Sequence, residues 1–369
     1  MAKYFFIAGE ASGDRHAAEL IKQIRVQDPQ AQCIGLGGDQ MVAAECRLYQ
    51  HIRHMAFMGY AAVLRNIGQI RRNFRIAEEA LQTEQPDALI LIDYPSFNLR
   101  MAAFCRQNLP HTKIYYYIPP KVWAWKKRRV HRIARLCDEV LGIFPFEPAF
   151  YARYGYRCTY VGHPTVEEIG RMDNGQWTMD NGQSSIAILP GSRPSEIRHC
   201  LPTMLAAARR FPEYKIVVSA APGIEDAFYA PYLLDGETLT HDTYATVQQA
   251  AAAIVNSGTA TLETALLGCP QVAVYHLACA WLLGLLRWAQ PLVFSIRYFT
   301  PVNIIADKEI IKECVANDFT EEKVTRELRR LLTDERYKKE MLAQYEHLYS
   351  LLGTQSASMT AAQIITSRP

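Results

Sequence analysis

Three kinds of turn in this 369-residue chain carry side chains that can move protons or hold anions. The first is IAGEASGDRHAAEL (7–20), where the apolar run YFFIA enters a small-residue turn and then a helical pattern from about residue 13. That outline usually cradles a phosphate. Here Glu10 and Asp14 put carboxylates where the anion would sit, so the turn suits a neutral polyol or a nucleophilic hydroxyl, with Glu10, Ser12 and Asp14 as acceptors or a base. The plainer alternative is that Ser12 or Asp14 caps the helix. The second is LILIDYPSFNLR (89–100). Asp93 ends a buried apolar run, a good place for a general base, and Ser96 or Asn98 can cap the helix that Pro95 starts.

Two later turns suit anions. SIAILPGSRPSEI (185–197) is an apolar strand, a turn and a helix start, where backbone N–H groups, the Ser192 hydroxyl and the Arg193 guanidinium could meet a phosphate. VNSGTATLETALLG (255–268) repeats the outline. Gly258 permits close approach, Ser257 and Thr259 offer hydroxyls, and the helix start adds its positive dipole end. Glu263, one turn beyond Thr259 on the same face, could accept two ribose hydroxyls. Ordinary capping explains the same residues without a ligand.

No Asp-x-Asp occurs, and no His or Cys spacing suggests a metal site, so neither metal nor cofactor is expected. His163 in YVGHP reads as structural. KVWAWKKRRVHRIAR (121–135) gathers eight basic side chains, counting His131, around Trp123 and Trp125. With Arg65, Arg71, Arg72 and Arg75 beside Met58, Leu64 and Ile67, it fits an anionic membrane surface or a phosphorylated lipid, although a solvated charged helix is the plainer reading. It could also fit RNA, although a net charge of +3 is too small to argue for nucleic acid by itself. HLACAWLLGLLRWAQPLVF (276–294) suits a core helix or an acyl-chain surface. It is short for a span and is interrupted by Arg287 and Pro291.

The elements that must position these turns alternate strand and helix. Strands are expected at 4–8, 33–37, 87–93, 113–118 and 138–144, with helices near 13–27, 61–84, 98–108 and 127–136. Runs such as DALILID and IYYYI are apolar throughout, as in parallel sheets covered on both faces. The pattern lapses in the Asn/Gly-rich stretch 166–184, a linker, and restarts at 185. The expected organisation is therefore an N-terminal Rossmann-like domain (1–165), the linker, a second Rossmann-like domain (185–320) and C-terminal helices (321–369). Ligands of such sheets sit beyond the carboxyl ends of the strands, and two facing sheets would form a cleft there. The nine scattered cysteines favour reduced thiols and a cytosolic compartment over disulfides. The five-residue apolar run before Gly9 reads as a first strand, not a signal peptide.

Taken together, AGEASGD (8–14), MG..VL (58–64), D.P.FN (93–98), VWAW..(K)R (122–128), FPFE..FY (144–151), VGHP (161–164), LPGSR..EI (189–197), SGTATLE (257–263) and P.N..A (301–306) resemble the lipid-A-disaccharide synthase family. The resemblance spans roughly residues 5–310. It implies a GT-B fold (two facing doubly wound α/β domains, the nucleotide held mainly by the second) and an inverting, metal-independent glycosyltransferase. The implied reaction moves 2,3-diacylglucosamine from UDP to 2,3-diacylglucosamine 1-phosphate. The product would be a β-1,6-linked tetra-acyl disaccharide 1-phosphate in lipid A biosynthesis. Peripheral attachment to the inner membrane is implied as well. In some members dimers exchange C-terminal segments, which would let Asn303 reach a partner's nucleotide site. Two positions depart from the family pattern. Ser96 replaces the aspartate favoured as its base, and Ala62 replaces a glutamate. The proton then falls to Asp93 or Glu10. The alternative is a non-catalytic or altered-substrate UDP-sugar or lipid binder, or, within the fold, a UDP-sugar epimerase.

Overall fold

The computed structural model describes residues 2–55, 67–124, 127–172, 185–276 and 297–367. The chain divides into two compact units, residues 1–167 with 354–369, and residues 168–353.

In the first unit seven parallel strands lie in the order β3-β2-β1-β4-β5-β6-β7. They are β1 (Lys3–Ala8), β2 (Gln32–Gly37), β3 (Arg47–His51), β4 (Ala88–Ile92), β5 (Lys113–Tyr117), β6 (Glu139–Gly142) and β7 (Thr159–Tyr160). Central β4, ALILI, is buried at every position, as a strand covered on both faces must be. β1 pairs in register with β4, Ala8 opposite Ile92. The turns that follow these two strands are therefore neighbours.

The helix after β1 runs Ala11–Gln27, and the one after β4 runs Pro95–Asn108. Each starts two or three residues earlier than the pattern predicts. Pro at the first helical position explains the second case, since its fixed φ suits a helix start and it has no N–H to satisfy. The last helix of the unit, Ala357–Thr366, packs on Ala11–Gln27 and buries Ala357, Ala361, Ala362 and Ile365. The Thr366 hydroxyl donates to Gln27 at 2.7 Å.

In the second unit six parallel strands follow the order β10-β9-β8-β11-β12-β13. These are β8 (Ser185–Leu189), β9 (Lys215–Ser219), β10 (Thr238–Thr240), β11 (Ala250–Asn256), β12 (Gln271–Tyr275) and β13 (Lys312–Val315). β11 is buried along its whole length. The helices Glu321–Thr333 and Glu335–Leu352 belong to this unit.

The stretch expected as a linker opens inside the helix Pro164–Met172. Residues 173–184 lie outside the described residues, as do Met58, Ala62, Leu64, Arg65, Trp125 and the apolar stretch from 277 to 294. Among the described residues no helix is long and apolar enough to cross a membrane, no group of His, Cys, Asp or Glu is arranged to hold a metal ion, and eight cysteines are buried and unbridged.

Candidate active site

Because all seven strands of the first unit are parallel, their carboxyl ends share one edge of the sheet. That edge carries the turns 9–14, 93–98, 118–123, 143–147 and 161–165.

At the first turn Glu10 is the residue before the helix, with extended backbone and no side-chain cap. It is half-buried, and its charge acts on the neighbouring Tyr94 hydroxyl, whose pKa is raised by burial and then by Glu10. Ser12 is exposed. Asp14 is not part of an acceptor surface. Its buried carboxylate accepts N–H bonds from Gly38 at 2.7 Å, Gln40 at 3.0 Å and Met41 at 3.1 Å. It closes the amino end of the helix Asp39–Ala43, not that of its own helix.

At the second turn Asp93 and Tyr94 both have φ of +44°. Non-glycine residues in this left-handed region cost about 1–2 kcal/mol each. Two side chains hold the turn there. The Asn98 amide donates to the carbonyls of Ile92 (3.1 Å) and Asp93 (2.7 Å), and the Tyr116 hydroxyl donates to the same Asp93 carbonyl at 2.7 Å. Asn98 is wholly buried, so it positions Asp93 and neither contacts an acceptor nor caps its helix. Ser96 is exposed at the second helical position, and no side chain caps that helix. Burial pushes the Asp93 carboxyl above the usual carboxylate range, while Lys121 opposes the shift. The Lys121 side chain is solvent-accessible. The protein around it still lowers its pKa, with Asp93 and Glu147 pulling the other way.

Glu147, present in the sequence reading only as part of FPFE..FY, is given no role there. It is fully buried. Its Oε2 accepts from the N–H groups of Ile143 (2.9 Å) and Phe144 (3.0 Å), and its Oε1 from the Trp123 indole at 3.2 Å. Burial, partly offset by these bonds, raises its pKa to about 7. Trp123 packs edge-on against Phe144 and Phe146. It is therefore a buried anchor for the 121–124 segment and not part of a basic-aromatic surface, whereas Lys127, Arg128, Arg132 and Arg135 are exposed. His163 is buried. Its Nδ1 accepts from Thr165 N–H at 3.2 Å, and burial lowers its pKa to about 3.

In the second unit the carboxyl ends of adjacent strands β8 and β11 present the two anion turns. Gly191 has φ of +113°, and a Cβ there would stand 2.5 Å from Asn256 Nδ2 and 2.7 Å from Glu196 Oε2. Only glycine fits. Ser192 and Arg193 are exposed, and the Glu196 carboxylate accepts from Ser192 N–H at 3.0 Å and from the Arg193 guanidinium at 2.9 Å. Asn256, at the end of β11, accepts from the Cys200 thiol at 3.6 Å and so joins β11 to the helix that follows this turn. At the second turn no side chain caps the helix Thr259–Leu266, so the capping explanation for Ser257 and Thr259 does not hold. Among the described residues, chain neighbours aside, nothing lies within 4 Å of a Cβ built on Gly258, which leaves room for close approach. Glu263 stands one helical turn beyond Thr259 and is half-buried. The rings of His199 and His276 stack at 4.5 Å beyond β8 and β12.

Asn303 does not present its amide to a ligand. Its Nδ2 donates to Ile311 O (2.9 Å) and Glu313 (3.0 Å), and its Oδ1 accepts from Ile310 N (2.7 Å) and Ile311 N (3.0 Å). With all four hydrogen-bonding positions used and no exposure, it fixes the 308–313 segment. A role in a partner's nucleotide site does not survive this geometry.

One sheet edge thus offers carboxylates with a cation nearby, and the other offers donors for an anion. The family described as lipid-A-disaccharide synthetase matches residues 4–366. The chain belongs to this family. The lipid-A-disaccharide synthase of Geobacter sulfurreducens is 33% identical over 376 residues, covering 98% of this chain and 96% of its own. That of Anaeromyxobacter dehalogenans is 35% identical over 374 residues, covering 97% and 95%. The fold is shared more widely. A Staphylococcus aureus MnaA–UDP co-structure matches with a TM-score of 0.65 at 13% identity, covering 97% of this chain and 94% of that one. The calicheamicin glycosyltransferase CalG4 matches with 0.61 at 13%, covering 100% and 98%. This member of the lipid-A-disaccharide synthase family is a glycosyltransferase with two Rossmann-like parallel-sheet units of the GT-B class. Epimerases share the fold, but the family match over nearly the whole chain separates it from them.

Proposed function

We propose that this chain transfers 2,3-diacylglucosamine from UDP to the primary hydroxyl of 2,3-diacylglucosamine 1-phosphate. The products are the β-1,6-linked tetra-acyl disaccharide 1-phosphate and UDP, a step of lipid A biosynthesis. The family match from residue 4 to 366 carries this reading. The division of the site residues, carboxylates in the first unit and anion donors in the second, supports it.

The acceptor hydroxyl attacks the anomeric carbon in line with the departing diphosphate. The new C–O bond forms as the old one breaks, with inversion. Asp93 takes the hydroxyl proton, a role suited by its raised pKa and by the rigid turn that aims it. Glu10, on the adjoining turn, is the second candidate for that proton. Arg193, Ser192, Ser257, the Gly258 backbone and Thr259 stabilise the charge that UDP gains on leaving, and Glu263 accepts the ribose hydroxyls. Ser96 does not exclude catalysis, since two carboxylates remain at the same sheet edge. The non-catalytic alternative is not favoured.

The exposed cations from Lys127 to Arg135 suit lipid phosphates, so the enzyme works at the periphery of the inner membrane on its cytoplasmic side. A homodimer belongs to the same proposal, without Asn303 as a nucleotide ligand. The test is incubation of the purified protein with both lipid substrates and EDTA. Disaccharide and UDP in equal amounts are expected. Release of UDP without disaccharide, or no reaction, overturns the proposal.

A further inference from the structure

Two of the donors assigned to the diphosphate, both on the 191–193 turn, are already occupied. Glu196 accepts from Ser192 N–H at 3.0 Å and from the Arg193 guanidinium at 2.9 Å. Both donors sit on an exposed turn, whereas the Glu196 side chain is only 20% exposed and lies under it. The turn is shaped around this carboxylate, because Gly191 in its left-handed conformation leaves no space for a Cβ beside Glu196 Oε2. Asn256 closes the other side of Gly191.

We propose that Glu196 is a built-in stand-in for the diphosphate, holding the 191–193 turn ready in the empty protein and yielding Ser192 N–H and Arg193 when UDP or the donor arrives. This inference rests on the reading of that turn as the diphosphate site. The physical reason is competition. A carboxylate and a phosphate want the same charge-assisted donors, and their like charges repel at close range. The exchange preorganises the turn and also limits how tightly the product is held. When UDP leaves, Glu196 restores the donors' partners, so neither is stranded.

The experiment is UDP titration by calorimetry on the full chain at fixed salt, comparing wild type with Glu196→Gln, Arg193→Ala and the double variant. Glutamine keeps one oxygen for Ser192 N–H but removes the competing charge. UDP should bind Glu196→Gln about 3–10-fold more tightly, the range expected from losing a fraction of one charged hydrogen bond as a competitor. UDP should leave that variant more slowly in stopped flow. Arg193→Ala should weaken binding, and in its background the gain from Glu196→Gln should shrink. Equal or weaker UDP binding by Glu196→Gln, with Arg193→Ala still weakening it, overturns the stand-in and leaves the site reading intact. UDP binding that Arg193→Ala does not change overturns the site reading and this inference together. Thermal melts of each variant exclude misfolding as the cause, and slow amide exchange at Ser192 in the empty wild type, lost in Glu196→Ala, reports the bond directly.

Discussion

The Tyr94 ring lies flat over Gly9. A Cβ on Gly9 would stand 2.3 Å from both Cγ and Cδ1 of that ring. The contact locks the turn after β1, which carries Glu10, to the turn after β4, which carries Asp93. The Tyr94 hydroxyl is held in turn by Met55 O at 2.9 Å.

Gly9→Ala should therefore disturb both turns at once. A loss of about 1–3 kcal/mol is expected in urea unfolding, as for other overpacked sites, with a larger fall in turnover because both carboxylates move. Gly9→Ala/Tyr94→Ala should recover most of the stability. A single variant as stable as wild type would show that the contact is not restrictive.

Asp93→Asn should lower kcat by about 10²–10⁴-fold, the usual worth of a general base, with little change in the affinity for UDP. A base works only when deprotonated, so the rate falls as pH drops through its pKa. The raised pKa of Asp93 moves that fall above the ordinary carboxylate range. Glu10→Gln with the full loss, and Asp93→Asn without it, would reassign the proton to Glu10.

Arg193→Ala should cost about 2.7–4 kcal/mol of transition-state stabilisation, by analogy with the loss of an oxyanion-hole donor. Steady-state kinetics with the lipid donor would read this as a drop in kcat/KM. Unchanged turnover removes Arg193 from the mechanism.

Glu147 and His163 predict opposite pH dependences of stability. The folded pKa of Glu147, about 7, lies above its ordinary 4.5. The unfolded chain thus gives up that proton first, and stability drains away as pH rises from about 4.5 to 7. Relative to Glu147→Gln, the wild type should lose on the order of 3 kcal/mol across that window. His163 is lowered from 6.5 to about 3, so its contribution is present above 6.5 and is lost as pH falls toward 3. His163→Asn, which keeps an acceptor for Thr165 N–H, should flatten the acid side. Denaturant midpoints measured at several pH values would show both trends, and parallel curves for variant and wild type would contradict them.

Asp14→Ala and Asn303→Ala should each destabilise the protein by on the order of 3 kcal/mol, because each strands several buried partners. The folded fraction should keep its UDP affinity. Normal stability with lost UDP binding would return either residue to the ligand site.

The parts that were legible in the sequence are local. The runs YFFIA, LILI, SIAIL and AAAIV are central strands because nothing polar interrupts them, and strand, turn and helix start lie within a dozen residues at LPGSR and SGT. The edges were less legible. β3 (RLYQH) is half-buried and polar, and β10 and β13 are three and four residues long, so neither gives an apolar run. The partners of the acids were not legible where they are distant in sequence. Nothing near Asp14 announces Gly38, and nothing in FPFEPAF shows that Glu147 turns inward to Trp123. A carboxylate's role depends on which N–H groups the fold brings to it, and that is a tertiary fact.

The helix Ala357–Thr366 covers Ala11–Gln27, although the whole of the second unit lies between them in the chain. On the ribosome the face of Ala11–Gln27 that this helix covers therefore stays uncovered until residues 357–366 emerge. The packing of the first unit is thus completed by residues made after the second unit.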